Sequence, residues 1–105
     1  MSEPQRGKVW LADFGIVGEV RPVVVISVPL TDADRALVTV IPHTTKVIGS
    51  MHEVKIPVRW LQTGAFNLQA TAPLAPAKFV RQLGTLSLPQ LEEIECALKR
   101  WEGLR

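Results

Sequence analysis

The chain has 105 residues, 47% of them hydrophobic and 21% charged, so it holds one domain, residues 1–105, with a modest core that a second subunit would enlarge. No apolar run approaches the roughly 18 residues of a membrane span, and the first residues lack a signal core, so we expect a cytoplasmic protein with no membrane contact. The net charge of the chain is +2, but residues 36–88 alone carry five basic side chains and one acidic side chain, a net charge of +4. This basic segment favours a polyanionic binding partner or, equally, an ordinary solvated surface.

Three strands are predicted in the first half of the chain. Apolar and β-branched runs indicate them at residues 9–14, 23–28 and 36–41. A loop with two glycines, residues 15–20, joins the first two strands. The run at 23–28 is typical of a strand buried on both faces, with Pro22 at its start because proline cannot donate to a central ladder. Pro42 should end the third strand.

The second half of the chain predicts shorter strands. Residues 53–58 alternate polar and apolar side chains, as a half-exposed strand does. Residues 66–71 and 79–83 are further strand candidates. The proline-rich stretch 72–76 between them is a connection that is extended at best.

The chain ends in one amphipathic helix. Ser87 and Gln90 form a capping box at its start, and Pro89 lies in the first turn, where its missing N–H costs nothing. Apolar residues recur at spacings of three and four along one stripe: Leu91, Ile94, Leu98 and Trp101. Gly103 is a natural helix terminator. Short strands followed by one helix predict an α+β, mainly β fold, a small and partly open β-barrel.

The single cysteine, Cys96, excludes an internal disulfide, and no Cys/His pair has the spacing of zinc ligands. We therefore expect no metal and no other cofactor. Cys96 lies among apolar residues at helical spacing, and since free cysteines are usually buried, we expect it in the core.

Four segments, in this order and at these spacings, resemble the MazF/PemK (Kid) toxin family over about residues 6–104. They are an opening strand, an Arg-Pro-apolar-Ser strand, an apolar-Pro-x-Thr turn and a closing segment: residues 6–14 (RGKVWLADF), 21–27 (RPVVVIS), 40–45 (VIPHTT) and 81–87 (RQLGTLS). The resemblance implies an SH3-like, CcdB/PemK-like barrel that works as a homodimer. It also implies metal-independent cleavage of single-stranded RNA at a short sequence, neutralisation by an antitoxin protein, and no DNA contact by the toxin alone.

The resemblance also implies catalytic residues. Arg21 matches the catalytic arginine of the Arg-Pro motif, and its permanent charge and forked donors suit the crowded anionic phosphate of RNA cleavage. Thr44, the first threonine after Pro-x, would hold a phosphate oxygen or orient Arg21, with Thr45 as the neighbouring possibility. Glu19, two residues before Arg21, would take the 2′-hydroxyl proton or simply pair with Arg21.

Further residues are predicted to contact RNA. They are His43, Thr45, Lys46, Asn67 and Gln69. His43 lies beside Thr44 and invites a general acid/base role because of its near-neutral pKa, but a contact with the substrate is the favoured interpretation. Asn67 and Gln69 occupy alternate positions of one predicted strand, so we expect them to share a face and read a base edge.

The sequence departs from the family at one motif. Many members carry Asp-Gln-x-Arg before the closing segment, and counting back from Gly84 the matching residues are 69–72, with Gln69 and Ala72 in place of the aspartate and arginine. Gln69 can accept a hydrogen bond but cannot act as a base. The sequence therefore leaves open an active endoribonuclease, a weak one, or a protein that binds antitoxin or RNA without cleavage.

Two other functions are less favoured. A gyrase poison of the CcdB kind needs a helix ending in Trp-Gly-Ile, whereas Trp101 is followed here by Glu-Gly. A peptide-binding SH3-like module needs an exposed aromatic groove, and the chain has six aromatic residues and no tyrosine.

Trp10 and Trp101 are predicted in the core or at the dimer contact. Trp60 follows Arg59 in a polar neighbourhood, where it would pack against RNA or a partner.

Overall fold

The computed structural model describes residues 4–14 and 19–104. These residues form seven strands and one α-helix: β1 Lys8–Asp13, β2 Val20–Val25, β3 Val38–Thr44, β4 Glu53–Val54, β5 Ala65–Asn67, β6 Ala72–Leu74, β7 Phe79–Thr85 and α1 Leu88–Glu102. One short 3₁₀ turn, Leu68–Ala70, follows β5, and a second, Pro76–Lys78, precedes β7. Most of the predicted glycine loop, residues 15–18, lies outside the described residues.

The strands form one antiparallel sheet in the order β4-β5-β3-β2-β1-β7, with β6 paired to β3 beside β5. In the described part of the chain no pairing joins the end strands β4 and β7, so the sheet is not closed. The predicted α+β, mainly β fold with an open sheet and one C-terminal helix is confirmed. Neither length nor hydropathy allows any helix among residues 4–14 and 19–104 to cross a lipid bilayer.

The core lies on both faces of the sheet. One cluster, the helix-side core, includes Val9, Val24 and Ile41 of the sheet and Ile94 of α1. On the opposite face, a second cluster contains Trp10, Val23, Val25 and Val40. Adjacent residues of one strand therefore bury opposite faces, as the two-residue period of a strand requires. The prediction that the run 23–28 is a strand buried on both faces is confirmed for Val23, Val24 and Val25, but β2 ends at Val25 and Val28 is exposed.

Pro22 and Pro42 lie inside strands, contrary to prediction. Pro22 is the third residue of β2 and pairs with Leu11, while β3 continues through Pro42, which pairs with Val23. The pairing of β2 with β3 begins only after Pro22. Pro42 lies between the stretches of β3 that pair with β6 and with β5. Each proline therefore faces a gap in the ladder on one side, where its missing N–H breaks no strand hydrogen bond.

The second half of the chain differs most from the sequence prediction. Strand β4 has two residues where 53–58 were expected to pair. The proline-rich connection contains a paired strand, β6, and β7 runs on to Thr85. The expected strand 66–71 ends at Asn67, whose side-chain oxygen accepts a 3.2 Å hydrogen bond from the Gln69 N–H and starts a 3₁₀ turn. The prediction that Asn67 and Gln69 share one strand face is therefore wrong.

The helix α1 begins and ends as predicted. The Ser87 Oγ accepts a 3.2 Å hydrogen bond from the Gln90 N–H, and the Gln90 side chain accepts one of 2.8 Å from the Ser87 N–H. Gly103 caps the C-terminus at φ +72°, a left-handed conformation that favours glycine. Arg6 ties the preceding chain to the helix through contacts with the carbonyl oxygen of Ile26 and the carboxylate of Glu95.

Cys96 and Trp101 of α1 both lie outside the core. Cys96 is exposed, so its assignment to the core is wrong. The buried positions of the helix are Leu91, Ile94 and Ala97, and Cys96 falls outside this stripe. Trp101 is 39% exposed on the single chain, with its ring centroid 4.7 Å from that of His52, and therefore lies outside the core, so its alternative place at a dimer contact stays a prediction. Trp10 is buried, as predicted.

Candidate functional site

A cleft of about 580 Å³ opens on the face of the sheet that packs against α1. Leu11, Pro22 and His43 line the floor of the cleft. Each lies two residues along its own strand from a buried residue of the helix-side core, so the floor of the cleft continues that core. Seven residues with a predicted role meet here: Glu19, Arg21, His43, Thr44, Thr45, Lys46 and Trp60. Clefts of this volume are typical of binding sites.

Arg21 lies near the start of β2, beside the cleft, with Ala12 of β1 as its sheet partner. Its guanidinium forms an ion pair with the carboxylate of Glu19, and both side chains are about 40% exposed. The contact joins one Nη atom to one carboxylate oxygen. An arginine has five N–H donors, so Arg21 keeps donors that can bind a phosphate oxygen in the cleft.

Thr44 ends β3 at the cleft. Its Oγ1 accepts a 3.0 Å hydrogen bond from the backbone N–H of Lys46, which fixes the hydroxyl in a local turn. A hydroxyl that accepts this bond still has its own proton to donate. Thr44 can therefore give a hydrogen bond to an anion in the cleft, while Thr45 and Lys46 are exposed at its rim.

His43 is 4% exposed, and its ring lies edge-on to Phe66 with centroids 5.1 Å apart. Burial disfavours the charged imidazolium and lowers the pKa of His43 below its usual value. The imidazole is therefore neutral near neutral pH. Its small exposed part lines the cleft, which fits a contact with a ligand better than a prominent catalytic position.

The buried histidine should make the stability of the fold depend on pH. As the pH falls through about 6.5, the unfolded chain takes up a proton that folded His43 resists, so the free energy of unfolding should fall. The loss should level off once the pH is below the pKa of His43 in the folded protein. Urea unfolding of the parent and of His43→Gln between pH 5 and 8 measures the effect, and the variant should show a smaller slope. Equal slopes for the parent and His43→Gln would contradict the assignment.

Arg81, for which no role at the site was predicted, also lines the cleft. Strand β1 lies between β2 and β7, and Leu11 pairs with Pro22 on one side and with Arg81 on the other. This register brings the β7 arginine to the same cleft as Arg21. In the sequence, Arg81 stands out only as a basic residue in the closing segment that resembles the family. The pairing of the strands is needed to show which face of the sheet Arg81 occupies.

The cleft has an excess of positive charge. Three cations line it, Arg21, Lys46 and Arg81, against one carboxylate, Glu19, which is already paired with Arg21. Such an excess favours a polyanionic ligand.

Asn67 and Gln69 are not among the residues that line the cleft, so their contact with RNA remains a prediction that needs a surface beyond it. Within residues 4–14 and 19–104, no three His, Cys, Asp or Glu side chains cluster as metal ligands would.

A family model matches almost the whole chain. The model describes a PemK-like, MazF-like toxin of type II toxin-antitoxin systems and matches residues 5–101. The matched span contains every strand of the structure and nearly all of α1.

The structure is similar to several solved ones. A mycobacterial endoribonuclease in complex with its cognate antitoxin has a TM-score of 0.82, with 24% identity and 97% of each chain covered. A MazE–MazF crystal structure from Deinococcus radiodurans gives 0.83, with 21% identity and 100% of each chain covered. The toxin MazF-mt6 from Mycobacterium tuberculosis gives 0.77, with 24% identity over 93% of this chain and 98% of that one. At these identities the similarity shows a common fold.

Proposed function

The chain belongs to the family of PemK-like, MazF-like toxins of type II toxin–antitoxin systems, and from this membership we propose that it is an endoribonuclease that cleaves single-stranded RNA at a short sequence without a metal ion. The observation that carries the proposal is the meeting of Arg21 and Thr44 in one cleft with an excess of positive charge. These are the two residues that match the family's catalytic motifs, and the cleft suits a phosphodiester chain.

The reaction that these residues support uses the RNA as its own nucleophile. The 2′-hydroxyl loses its proton and its oxygen forms a bond to the neighbouring phosphorus, the bond from phosphorus to the 5′-oxygen breaks, and the 5′-oxygen takes up a proton from water, so that the products carry a cyclic phosphate and a 5′-hydroxyl. Arg21 stabilises the negative charge on the crowded phosphate, and the Thr44 hydroxyl donates a hydrogen bond to a phosphate oxygen. Donors fixed before the reaction, as Thr44 is by its turn, often supply the largest catalytic contribution.

Glu19 is the proposed acceptor of the 2′-hydroxyl proton. Its carboxylate contacts the Arg21 guanidinium, so a phosphate bound by Arg21 would bring the adjacent ribose close to Glu19. The same contact also fits a role in which Glu19 only orients Arg21. His43 is neutral and largely buried, and we assign it a contact with the substrate rather than the proton transfer.

The partners follow from the family and from the surface. Toxins of this family work with antitoxins, and a structural relative was solved with its cognate antitoxin. We propose the same kind of partner here, together with a homodimer in the cytoplasm. Large apolar side chains exposed on the single chain support at least one protein interface: Ile48, Met51, Leu88 and Leu104. The expectation that the chain itself does not contact DNA stays a prediction.

Arg81 should act as a second phosphate-binding cation. We expect Arg81→Ala to lower kcat/KM for RNA cleavage about 10-fold, because a charge-assisted hydrogen bond to phosphate is lost from a partly solvated site. Lys78→Ala is the matched control: Lys78 is exposed just before β7, does not line the cleft, and should tolerate substitution within about 2-fold. Equal losses in both variants would indicate a general charge effect rather than a site for phosphate at Arg81.

The experiment that tests the function is cleavage of a long single-stranded RNA by the purified protein in EDTA, with the ends of the products mapped. Discrete cuts that leave cyclic phosphate and 5′-hydroxyl ends would support the endoribonuclease and give its target sequence. Absence of cutting by a folded protein that still binds the RNA would favour the second candidate, a toxin-fold protein that binds without cleavage. That candidate is favoured by the positions of Gln69 and Ala72, which lack the acid and arginine of the family motif.

A further inference from the structure

The indole of Trp60 lies against the backbone of β7 at Gly84. A Cβ atom added to Gly84 would overlap three indole carbons at once, Cε2, Cδ2 and Cζ2. Cδ2 and Cε2 form the bond shared by the two rings, so it is the ring face, not its edge, that covers Gly84. Glycine is therefore required here by close packing: any larger residue would displace the tryptophan.

Trp60 also borders the cleft. It is half-buried, it packs against the helix-side core, and it lines the cleft together with Arg81. A bulge in β7 explains how Arg81 and Gly84 reach the same face although they are three positions apart, an odd number that would place them on opposite faces of a regular strand. Gly84 pairs with Val9, Gln82 with Trp10 and Arg81 with Leu11, so the register shifts by one residue at Leu83. Val9 and Leu11 share the helix-side face, and so do their partners.

The backbone positions behind the ring and the cation, Gly84 and Arg81, pair with Val9 and Leu11, which are two strand residues or about 7 Å apart along β1. One nucleotide can bridge that distance with its base on the ring and its phosphate at the cation. Aromatic rings that border a basic groove bind single strands by stacking, because every base has a π-face. A duplex would not present an unstacked base to such a ring.

We propose that Trp60, held by Gly84, is a stacking platform for one base of single-stranded RNA beside the phosphate bound at Arg81. The inference rests on the proposed function for its ligand and adds a defined base subsite to it. The subsite gives affinity for single strands with little preference among bases, since stacking reads the face of a base and not its edge. Sequence selection therefore belongs to other contacts.

The test separates binding of bases from binding of the backbone. The first probe is a fluorescein-labelled 12-nucleotide 2′-O-methyl RNA of random sequence, which lacks the nucleophile and cannot be cleaved. The second has the same length and backbone but carries no bases. We expect Trp60→Leu to weaken binding of the first probe about 10-fold and to leave the second unchanged. Trp60→Phe, which keeps an aromatic ring, should bind the first probe within about 3-fold of the parent.

Trp101→Leu is the matched control, because Trp101 is partly exposed, contacts His52 and does not line the cleft. It should bind both probes as the parent does. If Trp60→Leu weakens both probes equally, Trp60 shapes the fold and the platform is overturned; if it weakens neither, no base stacks there. If Trp60→Leu fails to fold, Trp60→Phe and Gly84→Ala decide the question: binding of the first probe should persist in the former and fall in the latter. Because neither probe can be cut, a protein without ribonuclease activity would still give a clear answer.

Discussion

Replacing Arg21 with alanine should lower the rate of RNA cleavage at least about 100-fold, the usual cost of removing one preorganised donor from a developing anion. The loss should appear in kcat, because Arg21 stabilises charge that builds only as the 2′-oxygen attacks. The fold should persist, since the side chain is 40% exposed and its ion pair with Glu19 is a surface interaction. Single-turnover cleavage of a mapped RNA substrate, with circular dichroism as the check on folding, measures both effects.

Two companion variants sharpen the assignment of Arg21. Arg21→Lys keeps the charge but loses the planar fork, so it should recover only a small part of the rate. Arg35→Ala removes an exposed arginine that does not line the cleft and should cleave at the parental rate. An Arg21→Ala protein that cuts RNA as fast as the parent would show that the guanidinium does not act on the phosphate.

The second large effect is expected at Gly64, which packs directly behind the site. A methyl group there would overlap the carbonyl oxygen of Thr44 and lie 2.8 Å from Cε1 of His43. Backbone cannot move aside as a flexible side chain can, so Gly64→Ala should lower the free energy of unfolding by about 2 kcal/mol. It should also shift Thr44 and reduce cleavage about 100-fold, because small displacements of a catalytic group are costly.

The control for Gly64 is its neighbour. Thr63 is exposed and outside the cleft, and Thr63→Ala should change the free energy of unfolding by less than about 0.5 kcal/mol. Urea unfolding and the cleavage assay are run on both variants. A Gly64→Ala protein with parental stability would mean that β3 and β5 separate easily at this point. It would contradict the close packing of Gly64 against Thr44 from which both losses are expected.

Much of the fold could be read from local patterns. The β-branched run of β2 predicted a strand buried on both faces, and Val23, Val24 and Val25 are each at most 1% exposed. The capping box at Ser87 and the glycine at 103 predicted both ends of α1. Such signals depend on residues within a few positions of one another, where sequence spacing and spatial neighbourhood coincide.

The candidate site was only partly predictable. Arg21 and Thr44 stand in short motifs, and the structure brings them into one cleft. Counting back along the chain from Gly84 assigned Ala72 to the position of the arginine in the family motif. In the structure, Ala72 lies in β6, where it pairs with Val40 of β3. Arg81 reaches the cleft because β7 pairs with β1, which a count along the sequence does not reveal.

The sequence by itself determined the single amphipathic helix, the buried strand β2 and the family motifs that contain Arg21 and Thr44. The tertiary structure decided which side chains share the cleft: it added Arg81, brought Trp60 to the same cleft and left out Asn67 and Gln69. The physical reason is that periodicity and capping act within a few residues, whereas the register between β1 and β7 joins residues about 70 positions apart and is shifted by a bulge. A shift of one residue exchanges the two faces of a strand, so only the assembled sheet fixes the residues at the site.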